Sequence, residues 1–191
     1  SEYDKLMNNL NNYLLKIENW LKQNSPEVYA LLQPGLNSIA IGNKFNNFCR
    51  KLPREVTELY QWRNGCSQYR FFGFEFPPLE ESLDTYEVYA LEEECLGVEF
   101  FPIFQINKKT LYCTLLSSEE KDKSPLFTLD IEDIDEEDEY IIPRTSFANL
   151  TSMMQFIAEC CEIGVFQVTT EGHIIKDDKT FETIGRKYNS N

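Results

Sequence analysis

The chain has 191 residues, of which 42% are apolar and 14% aromatic. This composition supplies enough side-chain volume for a packed core without metals or disulfides, so disorder of the whole chain is excluded. Acidic residues outnumber basic ones by 32 to 18, and the resulting charge of −14 argues against direct binding to nucleic acid or an anionic membrane. The same charge would attract a basic partner, although acidity that only maintains solubility is the competing interpretation.

The N-terminal part of the chain predicts a helical hairpin. Apolar residues recur at steps of three and four and indicate a helix over residues 4–23, with one apolar stripe that faces the core. The stripe consists of Leu6, Leu10, Leu14, Ile17 and Leu21. Ser25 then stands as an N-cap before Pro26 at the first helical position, which predicts a short second helix that ends before Pro34.

The next part combines a helix, an aromatic segment and a second helix. Pro53 begins the first helix, and Asn64 and Gly65 can adopt the left-handed conformation that ends it. Residues 69–76 are dense in aromatics and are followed by two prolines, which predicts a buried strand. Residues 82–95 have a helical pattern.

Three β-rich segments follow, over residues 100–106, 110–116 and 126–131. The first two are separated by Asn107, Lys108 and Lys109, a short polar gap that suits a hairpin turn.

Ser146 is then predicted to cap a closing helix that ends near Gly164. The apolar positions of that helix are Phe147, Leu150, Met154, Ile157 and Cys161. Beyond it the sequence indicates only a β-like stretch and a basic tip at Arg186 and Lys187.

This element order predicts an α+β fold with an antiparallel or mixed sheet flanked by helices. There is no alternating strand and helix rhythm and no internal repeat. We expect a single domain over residues 1–164, including the helical hairpin, and a C-terminal extension over residues 165–191 that packs on the domain or trails from it.

Several segments together resemble the SUKH superfamily in their order and spacing. Residues 52–65 resemble its hallmark, a helix that begins at Leu-Pro and finishes at Asn-Gly; the matching positions are Leu52, Pro53, Trp62, Asn64 and Gly65. Further segments resemble the family downstream: Phe72-Gly73-Phe74 with Pro78-Leu79, then Phe101-Pro102-Ile103-Phe104, then the helix from Ser146-Phe147 to Phe156-Ile157. The turn at residues 107–109 and the tail after Gly164 depart from the usual pattern of the family.

The resemblance implies a binding protein without catalytic activity. The superfamily includes fungal cell-wall assembly regulators and bacterial proteins encoded beside polymorphic toxins, which they neutralise by binding. It carries over no catalytic residue, because the five matching positions can be explained as helix start, core anchor and helix stop. Direct contact of these five residues with a partner is the alternative.

Catalytic and cofactor signatures are sparse in the sequence. The chain has one histidine, His173, in a predicted turn, and its six cysteines lack any Cys-x-x-Cys spacing, so a catalytic triad or a zinc site is not expected. The cysteines are interpreted as buried free thiols rather than disulfides. No glycine-rich phosphate loop occurs, and runs such as Glu92-Glu93-Glu94 are typical of a solvated helix face rather than of acid–base catalysis. We therefore expect neither an enzyme nor a bound cofactor.

The most prominent candidate for partner binding is an acidic run. Its candidate contact residues are Asp130, Glu132, Asp133, Asp135, Glu136, Glu137 and Asp138. The run lacks the glycine and ligand spacing of an EF-hand, so it is either a self-repelling loop or a contact surface for a cationic partner. In the second case its carboxylates would occupy the phosphate positions on the basic face of a nuclease toxin.

These observations lead to two expectations about function and one about the cellular location of the protein. The first is an immunity protein that neutralises a basic, nuclease-type toxin; the second is a regulatory or scaffold module like the fungal relatives. The absence of a basic, apolar leader and of any apolar run of 18 residues predicts a cytoplasmic protein.

Overall fold

The computed structural model describes residues 2, 9–92, 99–131 and 143–189. Within these ranges the chain forms seven α-helices and three small antiparallel sheets, which confirms the α+β class. The helices are α1 (Leu10–Asn24), α2 (Pro26–Leu31), α3 (Ser38–Asn43), α4 (Arg54–Trp62), α5 (Leu79–Tyr86), α6 (Leu150–Glu162) and α7 (Asp178–Gly185). The strands are β1 (Leu32–Pro34), β2 (Arg63–Cys66), β3 (Phe100–Ile106), β4 (Thr110–Leu115), β5 (Leu126–Asp130), β6 (Arg144–Phe147), β7 (Phe166–Val168) and β8 (Ile174–Lys176).

The helical hairpin is present as α1 and α2, with its junction at Ser25 as predicted. Asn9 caps α1, because its side chain accepts a hydrogen bond from the Asn11 N–H at 3.0 Å. Ser25 does not cap α2 with its hydroxyl, which is buried without a partner; instead its backbone N–H donates to the Leu21 carbonyl at 2.8 Å. Ser25 therefore occupies the N-cap position of α2 as predicted, but it makes no side-chain cap and closes α1 through its backbone.

Helix α4 begins one residue after the predicted start. Pro53 occupies the cap position, and the N–H groups of Arg54 and Glu55 donate to the carbonyls of Lys121 and Asp122 at 2.8 and 3.1 Å. A neighbouring loop therefore satisfies the first donors of the helix, which a side-chain cap would otherwise do.

The end of α4 corrects the prediction for Asn64 and Gly65. The chain leaves the helix at Arg63 in an extended conformation, and both residues lie in β2 rather than in a left-handed helix stop. Gly65 does have a positive φ of 87°, and a Cβ atom there would lie 2.6 Å from the Pro78 nitrogen. Gly65 therefore permits a close approach of two backbone segments.

The aromatic segment over residues 69–76 is not the predicted strand. It forms bends, with a single β-bridge from Glu75 to Gln105. Phe71, Phe72 and Phe76 are all buried, so neighbouring side chains point into the core without the alternation of a strand. The high density of apolar residues in this segment therefore reflects its burial rather than a strand. Gly73 has a positive φ of 83°, which allows the chain to bend.

The four-stranded sheet has the order β3-β4-β5-β6. The predicted β3–β4 hairpin is confirmed: Ile106 pairs with Thr110 across three connecting residues. The Lys109 N–H donates to the Ile106 carbonyl at 3.0 Å, and the central residues of this turn, Asn107 and Lys108, have positive φ angles of 51° and 59°, as a type I′ turn requires. The third predicted strand is confirmed as β5. Helix α5 confirms part of the predicted helix over residues 82–95 and continues as a π-helical turn over Glu87–Glu92.

The closing helix α6 starts later than predicted. Ser146 lies in β6, and the cap is Asn149, whose Oδ1 accepts from the Ser152 N–H at 2.8 Å. Helix α6 is buried along most of its length and packs against α1.

The segment after Gly164 folds into the hairpin β7–β8 and the helix α7; the sequence indicated a β-like stretch here but not the helix. Phe166 and Ile184 belong to the same buried cluster as the core of α1, α4 and α6. The C-terminal segment thus packs on the rest of the chain, while the boundary at Gly164 stays a prediction.

Candidate functional site

Only one residue of the predicted acidic run lies in the described part of the structure. Asp130 ends β5, where its carboxylate accepts from Thr110 Oγ1 at 2.8 Å and from Arg144 Nη2 at 2.5 Å. Its charge is therefore already paired across the sheet. The other candidates lie outside the described residues: Glu132, Asp133, Asp135, Glu136, Glu137 and Asp138.

The five positions of the SUKH-like motif occupy structural positions. Leu52 and Pro53 are buried at the start of α4, and Trp62 packs against the core at its end. Asn64 Oδ1 accepts a hydrogen bond from the Leu79 N–H at 2.8 Å, so it caps the following helix α5 rather than ending its own. Together with Gly65, Asn64 therefore holds β2 against the beginning of α5.

Glu55 is a buried carboxylate that the sequence analysis did not single out. Its Oε1 accepts from the N–H and hydroxyl of Thr151 at 2.8 and 3.1 Å, and its Oε2 accepts from the Ser124 N–H at 3.0 Å. Burial raises the pKa of Glu55, although these hydrogen bonds act in the opposite direction. Glu55 thus connects α4, the loop before β5 and the first turn of α6.

Its spacing could have revealed it. Glu55 lies three residues after Leu52 and four before Leu59, on the apolar face of α4. An acid on the core side of an amphipathic helix predicts a buried carboxylate that needs hydrogen-bond donors.

The cysteines and the histidine do not come together in the described residues. Cys66, Cys113, Cys160 and Cys161 are buried free thiols as predicted, whereas Cys49 is exposed and Cys95 lies outside the description. Burial raises the pKa of Cys66 to about 11 and that of Cys160 to about 12, which disfavours the thiolate. His173 is exposed, and its ring lies 4.0 Å from the Glu171 carboxylate.

A cleft of about 610 Å³ lies between the sheet and the C-terminal segment. One wall is the face of the sheet with Tyr112 and Thr128. The opposite wall comes from α6 and α7, where Phe156 and Phe181 have ring centroids 4.8 Å apart. Its size and aromatic lining are typical of binding sites.

The cleft has a charge opposite to that of the chain. Its charged lining residues are three cations, Arg144, Lys176 and Arg186, and one carboxylate, Glu182. The Lys176 ammonium lies 4.1 Å from the centroid of the Phe181 ring, a cation–π geometry that keeps its charge at the rim. Within the described residues the Arg186 side chain has no ion-pair partner.

Strand β6 contributes its backbone to the cleft. All four of its residues line the cleft although side chains alternate along a strand, so the open edge of β6 also faces it. In the orientation that satisfies its hydrogen bonds, the side-chain amide of Asn189 donates to the Ser146 carbonyl at 3.3 Å. A polar group from the tail thus already bonds this edge.

A second charged surface, which we call the acidic patch, lies on α5 and the start of the π-helical turn that follows it: Glu80, Asp84 and Glu87. The spacing of four and three residues places these exposed carboxylates on one side of the helix. Glu80 pairs with Lys44 at 2.7 Å. Asp84 and Glu87 make no ion pair in the part of the chain that is described, so their charges are available.

No family model matches this chain, and no curated protein matches it. Among the described residues, no group of three or more potential ligands could hold a metal ion, and no helix is long and apolar enough to cross a bilayer. The resemblance to the SUKH superfamily therefore depends on the motifs in the sequence alone.

Proposed function

We propose that this chain is a non-catalytic binding protein that neutralises a basic, nuclease-type toxin by direct contact. The observation that carries the proposal is the pair of exposed carboxylates of Asp84 and Glu87, which make no ion pair within the described residues, together with the charge of −14. Such a surface attracts a cationic partner at long range and increases the rate of association. The order of the SUKH-like motifs supports the same proposal.

Neutralisation would work by occlusion. A nuclease binds phosphates on a basic face, and carboxylates placed on that face occupy the same positions and exclude the substrate. Asp84 and Glu87 can act in this way because neither is paired within the described residues. Asp130 contributes less, because Arg144 already neutralises it.

The test is a calorimetric titration of the chain against the C-terminal domain of a toxin encoded beside its gene, at low and high salt. The proposal expects 1:1 binding that weakens with salt and abolishes the nuclease activity. The variant Asp84→Asn/Glu87→Gln should weaken binding, whereas the matched control Glu171→Gln/Asp178→Asn, at two exposed carboxylates of the C-terminal segment, should not. Binding that is indifferent to both salt and these neutralisations would overturn it.

A regulatory or scaffold module is the second candidate, and the cleft favours it. Recruitment of a partner requires a shaped site for a short segment, and the aromatic cleft with its open strand edge offers one. Binding of a peptide in the cleft, without binding of the toxin, would support this alternative.

A further inference from the structure

We propose that the cleft between the sheet and the C-terminal segment binds an extended acidic peptide, which adds to β6 as a fifth strand. The inference concerns a surface other than the acidic patch, so it does not depend on toxin neutralisation. Three observations carry it: the charge of the cleft, the open edge of β6 and the aromatic walls.

The charge of the cleft selects an anionic occupant. Acidic residues outnumber basic ones nearly two to one in the whole chain, but among the residues lining the cleft three bases face one acid. At physiological ionic strength charges are screened over about 8 Å, so a peptide in the cleft responds mainly to these local cations. Carboxylates on the peptide can therefore pair with Lys176 and Arg186, whereas Arg144 is already paired with Asp130.

The open edge of β6 selects an extended backbone. No strand pairs with β6 on its outer side within the described ranges, and the Ser146 carbonyl at that edge is bonded by a side-chain amide instead. An edge strand is a template for a further strand, because its unpaired N–H and C=O groups match those of an extended peptide. A peptide that displaces Asn189 would replace its hydrogen bond with a main-chain one.

The aromatic walls select alternate apolar side chains. Phe147, Phe156 and Phe181 form a continuous row, with centroid separations of 5.9 and 4.8 Å. Apolar side chains of an added strand can pack on these rings, and acidic side chains between them can reach the cations at the rim, where Lys176 lies over Phe181. The fitting occupant is a segment in which acidic and apolar residues alternate.

The experiment is fluorescence anisotropy with a labelled octapeptide of alternating Glu and Ile. Two further peptides serve as controls: one with Gln in place of Glu, and one of the same charge with central prolines, which cannot pair as a strand. We expect the first peptide to bind and both controls to bind at least about tenfold more weakly, because each lacks one source of recognition.

Matched variants locate the binding site. The double variant Lys176→Glu/Arg186→Glu should lower the affinity for the Glu–Ile peptide about tenfold, and Glu182→Lys should raise that affinity. The control Lys121→Glu/Lys179→Glu changes the net charge equally at exposed lysines that do not line the cleft and should have a much smaller effect. Bound peptide should also slow hydrogen exchange of the β6 amides.

Three results of the binding measurements would overturn the inference. They are an absence of binding by the Glu–Ile peptide, equal binding by the Gln or proline peptide, and equal losses in the cleft variant and the surface control. Binding without slower exchange in β6 would also contradict strand addition.

Discussion

The segment over residues 52–65 and the cleft differ in what they contribute. The first contains the most recognisable sequence pattern of the chain, and its side chains are used in core contacts, helix capping and close backbone packing. The cleft contains no contiguous motif, because its walls come from five strands, two helices and the segments between them. The comparison teaches that the recognisable pattern specifies a scaffold, while the surfaces available for binding lie elsewhere.

We expect the largest loss of stability from a substitution at Gly65, within the segment over residues 52–65. A Cβ atom there would lie 2.6 Å from the Pro78 nitrogen and 2.9 Å from the Phe76 carbonyl oxygen, and backbone atoms cannot move aside. Gly65→Ala should lower the free energy of unfolding by roughly 4 kcal/mol, as measured by urea denaturation.

Gly73 is the matched control for that substitution. Its φ of 83° is similar, but a Cβ atom there meets nothing within 4 Å, so Gly73→Ala should cost only the left-handed strain of about 1 kcal/mol. Equal losses at the two glycines would mean that the close approach at Gly65 is not important.

Removal of the buried carboxylate should have the next largest effect. Glu55→Ala leaves two N–H donors and one hydroxyl without an acceptor, and we expect a loss of about 3 kcal/mol. The control is Glu58→Ala on the same helix, whose side chain makes no hydrogen bond in the described structure. A loss at Glu58 as large as that at Glu55 would contradict the assigned role.

The effect of pH on the stability of wild type relative to Glu55→Gln should be smaller than the effect of Glu55→Ala, and the raised pKa of Glu55 determines its direction. The pKa of Glu55 is raised above 4.5, so the folded protein holds that proton more tightly than the unfolded chain. The stability that this group contributes is fully present below 4.5 and is lost as pH rises through the folded-state pKa. The free energy of unfolding of the wild type should therefore fall relative to that of Glu55→Gln as pH rises, as measured in urea unfolding series at several pH values; a relative rise would show the opposite shift.

Asn64→Ala should cost about 1 kcal/mol, since it removes the acceptor for the first N–H group of α5. Hydrogen exchange at Leu79 should become faster. Asn47→Ala, at an exposed residue without a side-chain hydrogen bond in the described ranges, is the control and should change neither quantity. If the exchange at Leu79 does not change, Asn64 does not act as a cap.

The sequence predicted local structure well where a single short segment contains the cause. The β3–β4 hairpin is such a case, because the polar residues Asn107 and Lys108 can adopt the left-handed conformations of its turn. Helix α7 was missed although it had comparable signals: Asp177 caps it, and Phe181 and Ile184 share its buried side.

The errors arose where tertiary packing decided the outcome. Residues 69–76 are rich in aromatics because the core surrounds them, and that composition resembles a strand without forming one. Ser146 and Asn149 are both common N-cap residues. Because β6 pairs with β5, Ser146 lies in the sheet, and Asn149 caps the helix instead. The cleft could not be predicted at all, because its lining residues extend from Phe72 to Asn189.

The separation of scaffold and binding surface is tested most directly by one variant measured in two ways. Lys176→Glu/Arg186→Glu should leave the free energy of unfolding, measured by urea denaturation, within about 0.5 kcal/mol of wild type, because both side chains are exposed. Its affinity for the Glu–Ile peptide should fall about tenfold. Unchanged affinity, or a loss of stability as large as the loss of binding energy, would contradict the account.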